Sequence, residues 1–513
     1  NFQYVTVLAI ISVFIVLIGC INFMNLSTAR SARRAKEVGL RKVAGAVRIQ
    51  LVKQFLGESF LVTCISLILA FLIAALSLPS VNNLVGKQLH LNFQDPFMVA
   101  AVLAITLITG VFSGMYPAFI LSGFTPIKVL KKEVKGGAGG VVFRNLLVVI
   151  QFVISIVLLV GTTVVYQQLQ YIQSKDLGFD KANLLYMTVH GNMEGKINTW
   201  RSAFQANPLT ENVTISSGLP TNHVSGTASI DWQGKDPSKQ IIFAHMFIDE
   251  HFIPIYNMAL VSGRNFYKDL RGDSTNFIIN EKAATVMGFT AASAIGEPLT
   301  LWGERKGFIV GVVKDFNFKP LQQGIEPLLL GTNNWGGVVV VKAQPNKTTE
   351  TIQAMEKVWN NLEDVYPFSY KFVDQDLENL YKSERQVGTL FSVFALLAVI
   401  ISCLGLYGLS AYIAEQRTRE IGIRKALGAS VLNILYLLNT RFVIPVFIAM
   451  IIAAPLAYFT MSKWLNGFVY QVNFDWAIVL AAGTTALLIS VLTVSFESLK
   501  AAKVSPVKSL RTE

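Results

Sequence analysis

Seven stretches without a charged residue, at roughly 5–24, 59–78, 97–121, 145–165, 388–414, 442–461 and 476–496, constrain this chain more than any other feature of it. Each is long enough to cross a bilayer as a helix, which takes ~20 apolar residues. The hydrocarbon offers no water to unpaired backbone groups, so a spanning segment satisfies its own hydrogen bonds as a helix. With 513 residues, 52% hydrophobic and 15% charged, and a mean hydropathy of +0.48, the chain reads as a polytopic α-helical membrane protein. The long polar interval between the fourth and fifth spans reads as one inserted soluble domain.

Charge sets the orientation. Residues 30–53 carry Arg30, Arg33, Arg34, Lys36, Arg41, Lys42, Arg48 and Lys53 against the single acid Glu37, and basic loops stay on the cytoplasmic side. Alternation then places 79–96 outside, 122–144 inside, the large domain outside, 415–431 inside, 463–475 outside and the tail inside. The formal charge of +12 is spread unevenly, with 20 Lys and Arg against 23 Asp and Glu between Tyr171 and Arg385. The basic excess therefore flanks the spans and forms no basic-aromatic stripe, which argues against nucleic acid as a partner. Cys20, Cys64 and Cys403 all fall inside spans, so no disulfide framework or metal-ligand spacing is present to read.

One basic segment occurs twice. Glu37, Gly39, Arg41, Lys42, Gly45 and Ala46 match Glu420, Gly422, Arg424, Lys425, Gly428 and Ala429 at an offset of 383, and Thr125–Lys131 echoes Ser505–Arg511 at an offset of 380. The chain is thus two related halves. Glu and Arg four apart can pair on one helix face, and the glycine between them admits a close backbone neighbour. Basic residues alone need no reason beyond topology and suit a solvated juxtamembrane helix. Repetition of the acid and the glycine as well favours a docking surface formed by Glu37, Gly39, Arg41, Lys42, Glu420, Gly422, Arg424 and Lys425.

The E-[IV]-G-[IL]-R-K-x-x-G-A run after a span resembles the FtsX-like/MacB-like permease family of ABC transporters, and the doubled arrangement is similar to its double-length bacterial members. The resemblance implies a subunit of the bacterial cell inner membrane, multi-pass, whose two cytoplasmic helices dock a separate ABC ATPase, one protomer each. It implies an extracytoplasmic α+β domain like the MacB periplasmic core. The expected division is 1–135 for the second to fourth spans of a first half with its coupling loop at 30–53, then 136–144 as a Gly-rich linker. Residues 145–176 follow as a span with a stalk helix, 177–373 as the domain, and 374–513 as a second stalk helix with the last three spans and a coupling loop at 415–431. By the symmetry of the two halves, one span and one further soluble domain are expected upstream of Asn1.

Function follows from the resemblance as two alternatives. ATP hydrolysis by the partner would move the extracytoplasmic domain to export or extract an amphipathic substrate such as an antimicrobial peptide, a lipid-like molecule or a lipoprotein, in company with a membrane-fusion protein and an outer-membrane channel. The second alternative is a mechanotransmission or signalling scaffold that regulates an extracytoplasmic partner such as a cell-wall hydrolase. The spans carry no charge and little polarity beyond Gln151, which disfavours a small hydrophilic cargo passing through them. Gly405 and Gly408 allow close helix contact but lack GxxxG spacing. Pro117, Pro445 and Pro455 would kink or end their helices.

Strands are expected at Leu184–Val189, Ile241–Phe247, Phe277–Ile279, Phe308–Val313, Val338–Val341 and Phe368–Val373, and helices at Glu281–Met287 and Thr349–Leu362. Helical spacing at Leu169 and Ile172, and again at Leu377, Leu380, Tyr381, Glu384 and Val387, predicts two facing amphipathic stalk helices. The phrases at His251–Phe266, Asn280–Gly288 and Ile309–Phe318 resemble the extracytoplasmic domain of the same family.

Catalytic constellations are weak. His90, His190, His223, His245 and His251 lack zincin spacing, and Asp374, Asp376 and Glu378 read as a charged first helical turn. GGAGG at Gly136–Gly140 is followed by Val141 and Val142 rather than Lys and Ser or Thr, so it is no phosphate loop. No enzyme activity, cofactor or metal is expected in the chain itself.

Overall fold

The computed structural model describes residues 2–123, 138–190, 196–221, 225–267, 273–319, 321, 323–332, 337–362 and 366–503. Chain contacts divide it into two compact units, one of residues 1–168, 384–464 and 473–513, the other of 169–383 and 465–472. The echo at 125–131 and 505–511 and His223 lie outside the described residues.

The chain opens with four long helices, α1 (Phe2–Val43), α2 (Arg48–Val85), α3 (Pro96–Gly123) and α4 (Ala138–Ser174). Isoleucines and leucines such as Ile65, Ile68, Leu72, Ile73 and Leu76 of α2 stand exposed, a surface that only lipid suits. Gly110 and Gly114 of α3, spaced as a GxxxG pair, seat α3 on α2: a Cβ at these positions would come within 3.1 Å of Phe60 and 2.8 Å of Ser59. Of the expected linker, the described part from Ala138 onward lies on α4, which takes in Gly139 and Gly140. Glycine costs ~1 kcal/mol against alanine inside a helix. The apolar run that follows carries the helix.

The soluble unit holds two sheets. Its elements are β1 (Leu184–Thr188), α5 (Ile197–Gln205), β2 (Thr210–Ser216), β3 (Ser225–Thr227), β4 (Ile230–Trp232), β5 (Phe243–Phe247), α6 (Phe252–Ile255), β6 (Leu260–Gly263), β7 (Phe277–Asn280), α7 (Glu281–Met287), β8 (Pro298–Leu301), β9 (Arg305–Val313), β10 (Leu328–Gly331), β11 (Val338–Ala343), α8 (Thr348–Leu362), β12 (Lys371–Phe372) and α9 (Val373–Leu380). The first sheet runs β12-β1-β11-β2, all antiparallel. The second runs β3-β5-β10-β7-β9-β8-β4 with β6 on β9, and its β5–β10 and β7–β9 pairs are parallel.

Alternation along β1 explains why the first sheet is apolar on both faces. Leu185 and Met187 turn to a core with Trp200 and Phe204 of α5 and Met355 and Trp359 of α8. Leu184 and Tyr186 turn the other way, into a cluster with Phe252, Tyr256, Ile278, Val313, Leu328 and Leu330 that the second sheet shares. A third cluster, containing Phe277, Ile279, Leu299, Ile309 and Met287, fills the far face of the second sheet. The six expected strands and both expected helices are present, although the last shrinks to Lys371–Phe372. α7 starts where the Asn280 side chain accepts a hydrogen bond from Ala283 N at 3.0 Å, and stops at Gly288 with φ 87°.

The chain closes with α10 (Lys382–Gln416), α11 (Thr418–Ala426), α12 (Val431–Leu465) and α13 (Trp476–Lys503). Seven helices of the described residues are long and apolar enough to cross a membrane. α12 continues through Pro445 and Pro455, so neither ends it. The amphipathic pattern before the fifth span is corrected too, for it is divided at Tyr381 between α9 and α10. Tyr381 is buried and its hydroxyl accepts a hydrogen bond from Leu321 N at 3.0 Å, which takes it out of a continuous apolar stripe.

Candidate functional site

Both copies of the repeated segment end in the same helix stop. In the first, Ala46 N donates to Arg41 O at 2.9 Å and Gly45 N to Lys42 O at 3.1 Å, with Gly45 at φ 95°. In the second, Ala429 N donates to Arg424 O at 2.9 Å and Gly428 N to Lys425 O at 3.1 Å, with Gly428 at φ 90°. This is the Schellman arrangement, and the left-handed residue it needs is the reason for the repeated glycine. The R-K-x-x-G-A run is thus a basic last turn followed by its own termination signal.

Behind each stop lies a small apolar knot at matching positions. Val38 packs with Leu51, Phe55 and Ala118, and Ile421 packs with Ile434, Leu438 and Ala502. Val38, Leu51 and Phe55 correspond to Ile421, Ile434 and Leu438 at the offset of 383, so each copy is braced by the helix that follows it.

The candidate residues divide by face. Glu420 pairs with Arg424 at 2.9 Å, both half-exposed, as the four-residue spacing predicts, and Arg417 lies 3.7 Å from Glu420. Gly422 is buried. Lys425 reaches back to donate to Ala502 O at 2.7 Å, placing its charge at the negative end of α13. In the first copy Arg41 donates to Gln54 Oε1 of α2 at 2.6 Å. Glu37 and Gly39 lie on α1, but their side-chain surroundings fall outside the described residues.

Reasoning from charge missed the apolar part of this surface. Leu40 is 61% exposed and its counterpart Ile423 46%; Ile49 is 64% exposed and its counterpart Leu432 75%. These four residues repeat at the same offset of 383, which was the available signal. Leu40 and Ile423 stand in the basic loops outside the candidate spans, whereas Ile49 and Leu432 open the apolar helices that follow.

The extracytoplasmic unit is tied together by polar contacts at its joints. Asp249, after β5, accepts from Ile215 N of β2 at 2.9 Å, from the Thr214 hydroxyl and from Arg201 at 3.3 Å. It thereby joins the two sheets, and burial pushes its carboxyl above the usual range despite those donors. Asp376 of α9 accepts from the Tyr186 hydroxyl, whose own pKa burial raises first and this carboxylate second. Asp376 of the acidic cluster at 374–378 therefore serves as an anchor. Lys175 sits 4.2 Å from the Tyr470 ring in the loop between α12 and α13. Among the described residues no group of His, Cys, Asp or Glu is arranged to hold a metal.

A polytopic helical membrane protein with an inserted extracytoplasmic α+β domain is the class this architecture defines. The family of the FtsX-like permease C-terminal domain matches residues 9–126 and again 392–506, and that of the MacB-like periplasmic core domain matches 146–357. The chain thus combines two FtsX-like permease C-terminal domains with a MacB-like periplasmic core domain, and is a multi-pass inner-membrane protein with its large domain extracytoplasmic.

Its similarity to the macrolide export ATP-binding/permease protein MacB of Chromobacterium violaceum is 23% identity over 362 residues, 68% of this chain and 52% of that one. A MacB of Bordetella avium is 34% identical over 133 residues, 25% of this chain and 19% of its own. The chain spans about half the length of the first of these and less of the other. Among solved structures, the periplasmic region of MacB from Actinobacillus actinomycetemcomitans aligns at 15% identity over 41% of this chain and 98% of that one, with a TM-score of 0.29.

Proposed function

We propose that this chain is the permease subunit of an ABC transporter whose two coupling loops, 30–53 and 415–431, each dock one protomer of a separate ATPase. The observation that carries the reading is the repeated surface itself: an exposed apolar residue, Leu40 or Ile423, beside Arg41 or Arg424 in a helix terminated by the same Schellman stop. An apolar anchor rimmed by basic charge is what a protein partner uses, since a solvated loop needs the charge alone. ATP hydrolysis would be the partner's work, and movement of the extracytoplasmic domain the output. An amphipathic substrate, whether antimicrobial peptide, lipid-like molecule or lipoprotein, suits the uncharged spans, and the macrolide export for which the MacB relatives are named supports an amphipathic cargo. A membrane-fusion protein and an outer-membrane channel would complete the export path.

Copurification tests the docking. Ile423→Asp or Leu40→Asp should each weaken capture of the ATPase about tenfold, a loss of about 1.4 kcal/mol, and the two together should abolish it while the permease still inserts. Unchanged capture by the double variant would end the reading. Cells carrying a hydrolysis-dead ATPase should retain the amphipathic cargo; normal efflux together with loss of cell-wall hydrolase control would favour the scaffold instead.

A further inference from the structure

Within the membrane unit α1 meets α10 at positions that are each other's counterparts. The offset of 383 maps Ile18-Gly-Cys-Ile-Asn-Phe-Met-Asn-Leu-Ser27 onto Ile401-Ser-Cys-Leu-Gly-Leu-Tyr-Gly-Leu-Ser410, with Cys20, Leu26 and Ser27 recurring as Cys403, Leu409 and Ser410. Asn22 and Asn25 thereby correspond to Gly405 and Gly408. A Cβ on Gly405 would lie 2.6 Å from Asn22 Oδ1, and one on Gly408 would lie 2.2 Å from Leu26 Cδ2. In a twofold arrangement only residues beside the axis touch their own counterparts, so the axis relating the two halves passes between α1 and α10 here.

A symmetric contact would carry the same residue on both sides. Two asparagines would overlap in the space that the Gly405 backbone leaves for one, and two glycines would leave a void and no side chain to fill it. The chain carries one of each, in the order N-x-x-N on α1 and G-x-x-G on α10. The surroundings are buried and polar: Asn25 and Gln151 are 1% and 2% exposed, and Ser155 of α4 and Ser402 of α10 stand 3.0 Å apart in hydrogen-bond contact. Gln151 Nε2 would lie 3.4 Å from the same Gly405 Cβ. Lipid supplies no hydrophobic drive for helices to associate, so close fit and polar contacts decide which helices pair.

We propose that Asn22 and Leu26 of α1, seated against Gly405 and Gly408 of α10, form a knob-and-hole contact by which the first permease half recognises the second. The contact disfavours pairing of like halves between copies, because either like pairing loses the fit. The single chain is in this sense a heterodimer of halves rather than a doubled homodimer.

Thermal denaturation of the full chain in detergent, followed by the monodisperse fraction on size-exclusion chromatography, tests this. Gly405→Ala should lower the midpoint clearly, Asn22→Ala should lower it little, and the pair together should recover more than half of the Gly405→Ala loss. Gly161→Ala, where a Cβ would find ordinary contact at 3.6 Å with Met461, should change nothing and controls for glycine loss as such. The exchange Asn22→Gly with Gly405→Asn should likewise be more stable than Gly405→Asn alone. No loss from Gly405→Ala, or a loss that Asn22→Ala does not relieve, overturns the proposal.

Discussion

The two copies of the repeated basic segment have the same motif, the same stop and the same apolar brace, yet Arg41 and Arg424 find different partners. The first is the end of one continuous helix, α1, and its Arg41 reaches across to Gln54 of α2. The second is a separate helix, α11, set off from α10 at Arg417; its Arg424 stays with Glu420 on the same helix while Lys425 holds the end of α13. At the positions matching Gln54 and Glu58 the second half has Leu437 and Arg441, so Arg424 has no equivalent neighbour to reach. A repeated motif thus specifies its own backbone and leaves its charges to whatever the next helix presents.

A buried ion pair of the soluble unit supplies the scale. Arg264 meets Asp273 through two hydrogen bonds of 2.8 Å, and Asp273 is 3% exposed. Burial alone would raise the Asp273 carboxyl, but the bonds from Arg264, Tyr267 N and Asn276 outweigh it and hold it at about 2. A folded pKa below the unfolded ~3.9 adds stability that is present above pH ~4 and lost as pH falls towards 2. Asp273→Asn should therefore cost about 2 kcal/mol near pH 7, less than a fully buried pair because Arg264 is partly exposed. Thermal unfolding of the variant and the parent should converge by pH ~2; a gap independent of pH would show that the carboxylate charge is not what matters.

Next in size come the stops. Gly45→Val and Gly428→Val should each cost about 1–2 kcal/mol, since a side chain in the left-handed region pays that much. Equal losses in the two copies, measured by denaturant unfolding, would sharpen the likeness of the loops, and unequal ones would break it. Lys425→Met should cost about 1 kcal/mol through the lost charge and hydrogen bond at the end of α13. Glu420→Gln should cost less than about 0.5 kcal/mol and respond to salt, as exposed pairs do.

Much of the fold was legible because apolar pattern and burial coincide. Leu184-Leu-Tyr-Met187 reads as a strand since both faces of β1 are covered. Thr210–Ser216 was not read as one, because its first half is polar and at least partly exposed and only its last four residues are buried. Leu328–Gly331 is fully buried but short and follows Pro327, and three-residue strands such as β3 and β4 exist only through their partners β5 and β8. Tyr381 looked like one more apolar residue of a stripe until Leu321 N showed what its hydroxyl does.

By itself the sequence determined the seven spans, their orientation, the twofold repeat and the helix stops, because hydrocarbon thickness, charge asymmetry and a left-handed glycine act locally along the chain. Which face Gly422 turns inward, which carbonyl Lys425 finds and how Asn22 fits the Gly405 backbone were decided only in three dimensions. Those outcomes depend on residues tens to hundreds of positions away, and spacing along one helix contains no record of them.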